Sequence, residues 1–179
     1  FQIELFQFEA PLAKLMPPDY RPCDVGYSRV GFWVQDFDQT LARLAALGTP
    51  PLTAPVGTAG ERRVCVRNPE GVYIEVMEDD PLRGRTRDAR PDCRVAARSV
   101  TLSVADLEKS KRSFMGALGM PETAAALRRP EHEALWGLDG ATTRSVVLDA
   151  GNVLVELVQY LDPVGKPWPD GHRISDQGI

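Results

Sequence analysis

Three glutamates occupy positions where a strand would be expected to carry apolar side chains. In the stretch RNPEGVYIEVMED (67–79), Val72, Ile74 and Val76 alternate with Tyr73, Glu75 and Met77. Both faces of such a strand are apolar apart from Glu75, which sits between Tyr73 and Met77. A carboxylate held in that way is costly unless it is ion-paired, hydrogen-bonded or bound to a metal. FQIELFQFEAP sets Glu4, and NVLVELVQYLDP sets Glu156, in the same kind of surroundings. The chemistry open to such groups is cation binding, acid/base catalysis or the holding of a guanidinium.

The elements around these residues come in two similar passes. The first opens with the strand YSRVGFWV (27–34) and continues into a helix, DFDQTLARLAALG. Asp36 or Asp38 is the expected cap, Phe37, Leu41, Leu44 and Ala45 the core face, and Gly48 the stop. A Pro/Gly-rich stretch with a short strand comes next. ERRVCVRN and GVYIEVMED, joined at Asn-Pro-Glu-Gly, read as a hairpin. The second pass opens with RSVTLSV (98–104). Its helix, DLEKSKRSFMGALG, has Asp106 as cap and Leu107, Phe114 and Leu118 facing the core. Strands near EALWGL, TRSVVLDA and NVLVELVQY complete it. Each pass is thus β-α-β-β-β.

The two passes are joined by DDPLRGRTRDARPDCRVAAR, in which Arg83, Arg85, Arg87, Arg90, Arg94 and Arg98 are interrupted by aspartates and lack aromatic companions. This reads as a solvated connector. A net charge of −4 gives no reason to expect nucleic acid. No apolar run approaches the roughly 20 residues needed to span a bilayer. Three cysteines (Cys23, Cys65, Cys93) without metal-type spacing point to reduced thiols and a cytoplasmic setting, with Cys65 a packing residue.

A longer repeat is visible when 3–26 is set over 155–178. The two align without a gap at an offset of 152 and share Glu4/Glu156, Leu5/Leu157, Gln7/Gln159, Pro11/Pro163, Lys14/Lys166, Pro17/Pro169, Arg21/Arg173, Asp24/Asp176 and Gly26/Gly178. The expectation is an internal piece of a protein of four modules in two tandem pairs. Residues 1–26 would be the last strand of a preceding module (strand 2–8) and a linker, 27–80 one module, 81–96 the Arg/Pro linker, 97–162 a second module, and 163–179 a linker toward a further module.

RVGFWVQDFDQTLARLAALG with RRVCVRNPEGVYIEVMED resembles a module of the vicinal oxygen chelate superfamily, and SVTLSVADLEKSKRSFMGALGM with NVLVELVQY resembles a second. That superfamily includes glyoxalase I, bleomycin- and fosfomycin-resistance proteins, and extradiol dioxygenases. The resemblance implies an α+β fold of tandem βαβββ modules, with curved mixed sheets forming a cup. It also implies metal ligands on the first strand, usually His, and on the last strand, usually Glu. Glu4, Glu75 and Glu156 match the last-strand position. At the first-strand position, seven residues before the helix-opening aspartate, this chain has Arg29 and Ser99. Arginine has only donors and stays protonated, so it cannot bind a cation. The only histidines, His132 and His172, read as surface or loop residues.

A guanidinium at Arg29 could instead neutralise Glu4 and Glu75 where a metal would sit. One reading is therefore a metal-free cup that binds a small organic molecule, sequestering it or acting on it. Glu75 and Glu156 would be its catalytic or polar groups, Arg29 and Ser99 polar contacts, and Trp33, Tyr73, Met77, Leu154 and Tyr160 its wall. Another is a metal-dependent lyase, isomerase or dioxygenase with ligands in modules outside this chain. A third makes one module pair structural and leaves ligand binding to the other. No cofactor is expected on this chain, although the full-length protein could hold a divalent metal. The expected partners are a small-molecule ligand and either further modules or a second copy of the chain.

Overall fold

The computed structural model describes residues 4–85, 94–173 and 175–176. Its centre is one open mixed sheet of six strands in the order β2-β3-β1-β4-β6-β5. The strands are β1 (Gly26–Val34), β2 (Arg63–Arg67), β3 (Tyr73–Met77), β4 (Val95–Ser103), β5 (Thr142–Asp149) and β6 (Leu154–Asp162). Each half has its first strand parallel to its last, and β1 and β4 join the halves antiparallel, with Val30 opposite Val100. The order is the same read outward from that junction, so a pseudo-two-fold axis passes between β1 and β4. Arg29 and Ser99 are equivalent under it, as are Glu75 and Glu156.

Two helices cover one face. In α1 (Phe37–Ala46), Asp36 caps the start by accepting from the Gln39 N–H, and Gly48 lies just past the end with φ +77°. Phe37, Leu41 and Leu44 pack against Val34, Val64, Ile74 and Val76. Ala45, expected on this face, is exposed. In the second half, α2 (Leu107–Lys111) is capped by Asp106 and runs into a π-helical turn, Arg112–Ala117. The Leu118 N–H there donates to Ser113, five residues back. This wider turn rotates the residues at its C-terminal end about the helix axis. Phe114 and Met115 reach the core with Leu107, while Leu118, expected inside, is 64% exposed.

Three expected strands are absent or reduced among the described residues. The strand in the Pro/Gly-rich stretch is a single bridge, Val56 to Arg63. Residues 4–8 of the predicted strand 2–8 belong to no strand of the sheet, and Glu4 is exposed there, outside the cup. EALWGL lies not in a strand but in a 3-10 helix, Pro130–Trp136, ended by Gly137 at φ +71°. Pro130 presets the first helical φ. Spacing by three, as in His132/Leu135 and Glu133/Trp136, places the four buried side chains of this segment against the sheet.

The central junction needs a glycine for steric reasons. A Cβ on Gly31 would lie 2.2 Å from Ser99 Oγ and 3.1 Å from Met77 Cε. Gly31→Ala is expected to lose about 1–3 kcal/mol by overpacking. Combining it with Ser99→Ala removes the nearest clash and should recover most of that loss in urea denaturation. A Gly31→Ala variant as stable as the parent would show that the junction is looser than these distances require.

Candidate functional site

The face of the sheet opposite the helices carries a continuous network of buried charge. Alternation along β1 and β3 directs Arg29, Gly31, Glu75 and Met77 to this face, and along β4 and β6 it directs Ser99, Thr101, Leu154 and Glu156. Arg29, 1% exposed, lies at the centre. Its Nε donates to Glu75 Oε2 at 3.2 Å and its Nη2 to Glu156 Oε2 at 2.7 Å. The guanidinium thus bridges the last strands of the two halves, pairing with Glu75 and Glu156 where Glu75 and Glu4 were expected.

Each glutamate has a second cation. Arg63 Nη1 donates to Glu75 Oε1 at 3.1 Å and to the Leu127 carbonyl at 2.7 Å. Arg128 Nε donates to Glu156 Oε1 at 2.9 Å, and Thr101 Oγ1 donates to Glu156 Oε2 at 3.0 Å. Arg128 also meets Glu133, which accepts from the Tyr160 hydroxyl at 3.2 Å. Three arginines and three glutamates therefore form one ion-paired cluster, with Asp79 at its edge 3.6 Å from Arg63. Burial alone would push Glu156 up, but Arg128 and Arg29 hold its carboxyl below the usual range. For Glu133 burial prevails over Arg128, and its carboxyl is raised.

The segment 127–138 closes over this cluster. The Arg29 guanidinium lies 3.6 Å from the centroid of the Trp136 ring, which is itself 3% exposed. Leu135 and Trp136 pack with Cys65, Tyr73 and Tyr20. Leu127 packs with Leu82 and Leu154, and Leu138 with Val158, Tyr160 and Cys23. The indole N–H of Trp136 finds no acceptor among the described residues. His132, read from sequence as a surface or loop residue, is 2% exposed because this segment turns inward. Burial lowers its pKa, with Arg63 adding to the effect.

The sequence-predicted residues are thus sorted by position. Arg29, Glu75, Glu156 and Tyr160 belong to the network. Met77 and Leu154 are fully buried beside it, Ser99 is buried at the β1–β4 junction, Tyr73 is buried under Leu135 and Trp136, and Trp33 is half-buried on β1. Glu4 lies elsewhere, and His172 packs edge-on to Trp168, 4.4 Å between ring centroids. Sequence reasoning missed Arg63, Thr101, Arg128, Glu133 and Trp136. Alternation with Cys65 would have placed Arg63 on this face, and alternation with Ser99 would have placed Thr101. Nothing in RRPEHEALW signals that it folds back over the sheet.

The divalent metal implied by the resemblance does not fit these residues. Its first-strand ligand positions hold a cation, Arg29, and Ser99. Both glutamates already accept from two or more donors, and among the described residues no group of three or more His, Cys, Asp or Glu could hold a metal ion.

No family model and no curated protein sequence matches the chain. Solved structures do. A glyoxalase I mutant from Zea mays superposes with a TM-score of 0.51 at 18% identity, covering 80% of this chain and 47% of that one, so the chain spans about half its length. A methylmalonyl-CoA epimerase in complex with methylmalonyl-CoA and NH4+ gives 0.51 at 16% identity, covering 80% of this chain and 99% of that one. A Streptomyces coelicolor methylmalonyl-CoA epimerase variant in complex with 2-nitronate-propionyl-CoA gives the same values. The chain has the glyoxalase-like fold. No helix among the described residues is long and apolar enough to cross a membrane.

Proposed function

We propose that this chain is a metal-independent module pair of a small-molecule-binding protein with glyoxalase-like architecture. In this pair the cup is a closed, ion-paired core, and the organic ligand is bound by another module pair of the protein. The observation that carries this reading is the bridge from Arg29 to Glu75 and Glu156. It places a covalently attached cation between two carboxylates, and Arg63 and Arg128 add the further positive charge that a divalent ion would otherwise bring. The wall expected to receive a ligand is occupied by Leu82, Leu127, Leu135, Trp136 and Leu138. If the protein is a metal-dependent lyase, isomerase or dioxygenase, its metal then belongs to modules other than these.

Elemental analysis and calorimetric titration of the purified chain with Zn, Ni and Mn test this reading. The expected result is metal well below one equivalent and no saturable heat. Stoichiometric metal that is lost in Glu75→Ala or Glu156→Ala would overturn it. So would a small organic molecule that binds the chain, changes Trp136 fluorescence and no longer binds when Arg29 is replaced.

A further inference from the structure

The repeat of 3–26 in 155–178 is also a repeat of geometry. The Lys14 N–H donates to Asp176 Oδ1 at 3.0 Å, and the Lys166 N–H donates to Asp24 Oδ1 at 2.8 Å. Lys14 aligns with Lys166 and Asp24 with Asp176, so each linker binds the other through the same pair of positions. The second oxygen of each aspartate is used alike, accepting from the Arg21 N–H at 2.8 Å and the Arg173 N–H at 2.9 Å. Each arginine side chain returns to its aspartate. The turns match as well, Tyr20 N–H to the Pro17 carbonyl and His172 N–H to the Pro169 carbonyl. Reciprocal contact of this kind is the mark of a two-fold relation. It is distinct from the axis between β1 and β4, because it relates the linker that leads into β1 to the linker that leaves β6.

The apolar residues just before the two linkers differ sharply in environment. In β6, Leu157 and Val158 are 0% exposed and Tyr160 5%, because β6 lies between β4 and β5. Their aligned counterparts Leu5, Phe6 and Phe8 are 95%, 73% and 39% exposed, and Leu12 and Leu15 are 78% and 80%. A segment with the sequence pattern of an interior strand is here on the surface.

We propose that residues 4–8 are the last strand of a second glyoxalase-type module pair of the same polypeptide, and that this pair docks against the linker clasp with the clasp on the two-fold axis between them. In that arrangement Leu5, Phe6 and Phe8 enter the second sheet as Leu157, Val158 and Tyr160 enter this one. The apolar cleft between the linkers, lined by Leu15, Met16, Tyr20, Tyr27 and Trp168, lies at the interface. The proposal rests on the repeat and the clasp. It stands whether or not the cup of this chain binds a ligand.

The test is the intact mass of the native gene product together with hydrogen exchange at residues 4–8 and 156–160, without ligand or added metal. The expected product is longer than this chain by about one repeat length in total, with one module before residue 4 and one after residue 179. In it the 4–8 amides exchange on the order of tenfold or more slowly than in the isolated chain. Phe6→Glu in the native product should abolish that protection and leave 156–160 unchanged, which separates docking from general folding. A native product no longer than this chain would overturn the proposal. So would 4–8 exchanging as freely in the native product as in the isolated chain.

Discussion

Glu156→Ala is expected to lose about 3–5 kcal/mol of folding stability, because it leaves Arg29 and Arg128 buried with one carboxylate too few. Glu156 is fully buried and accepts from Arg29, Arg128 and Thr101. Removing it takes away the carboxylate that Arg29 and Arg128 share and leaves local positive charge uncompensated. Removing Arg128 as well restores the balance, since Arg29 keeps Glu75. The double variant Glu156→Ala/Arg128→Met should therefore be destabilised by clearly less than the sum of the singles. Arg29→Ala strands less charge, because Glu75 retains Arg63 and Glu156 retains Arg128. Its cost is mainly the space left under Trp136. The pH dependence comes from the depressed Glu156 carboxyl. Its contribution is complete above the ordinary glutamate range and is lost as pH falls through its lower folded value. Urea denaturation at neutral pH checks the mutational claim. A loss under about 1 kcal/mol, or simple additivity with Arg128→Met, would mean that the network is hydrated and weakly coupled.

Trp136→Ala should be nearly as damaging, at about 3–5 kcal/mol, because it removes a buried aromatic cover and leaves a cavity. It also takes away the ring face stacked on Arg29 and lets water reach the cluster. Trp136→Phe should cost noticeably less. The indole N–H makes no hydrogen bond among the described residues, so the smaller ring loses area but no bond. Indole added to Trp136→Ala should raise its melting temperature by filling the gap, with no such effect on the parent. Equal losses for the Ala and Phe variants, with no response to indole, would show that the ring contributes little beyond covering the chain.

Much of the framework was legible in the sequence because it rests on local rules. The caps Asp36 and Asp106, the Asn68–Gly71 turn and the alternation that set Glu75 and Glu156 among apolar neighbours all act within a few residues. Of the three misplaced carboxylates, Glu75 and Glu156 lie in the buried network and Glu4 does not, and Arg29 is the counter-charge between the first two. Its partners were half right. Glu75 was named, but Glu4 was chosen by its repeat position alone, and which strands adjoin depends on pairing across the sheet.

What the sequence by itself determined is therefore periodicity, capping and the chemical oddity of a charge inside a strand. What only the tertiary structure decided is where remote segments meet. EALWGL reads as a strand, yet Pro130 and spacing by three turn RRPEHEALW into a 3-10 cover that brings Arg128 and Glu133 to β6 and Trp136 over Arg29 of β1. The π-helical turn after α2 exchanged Leu118 for Met115 in the core by a small rotation. The linker clasp needed two stretches 152 residues apart to face one another. Sequence spacing predicts which residues share a face. Which faces touch is settled by the free energy of burying them together, and that is a property of the whole chain.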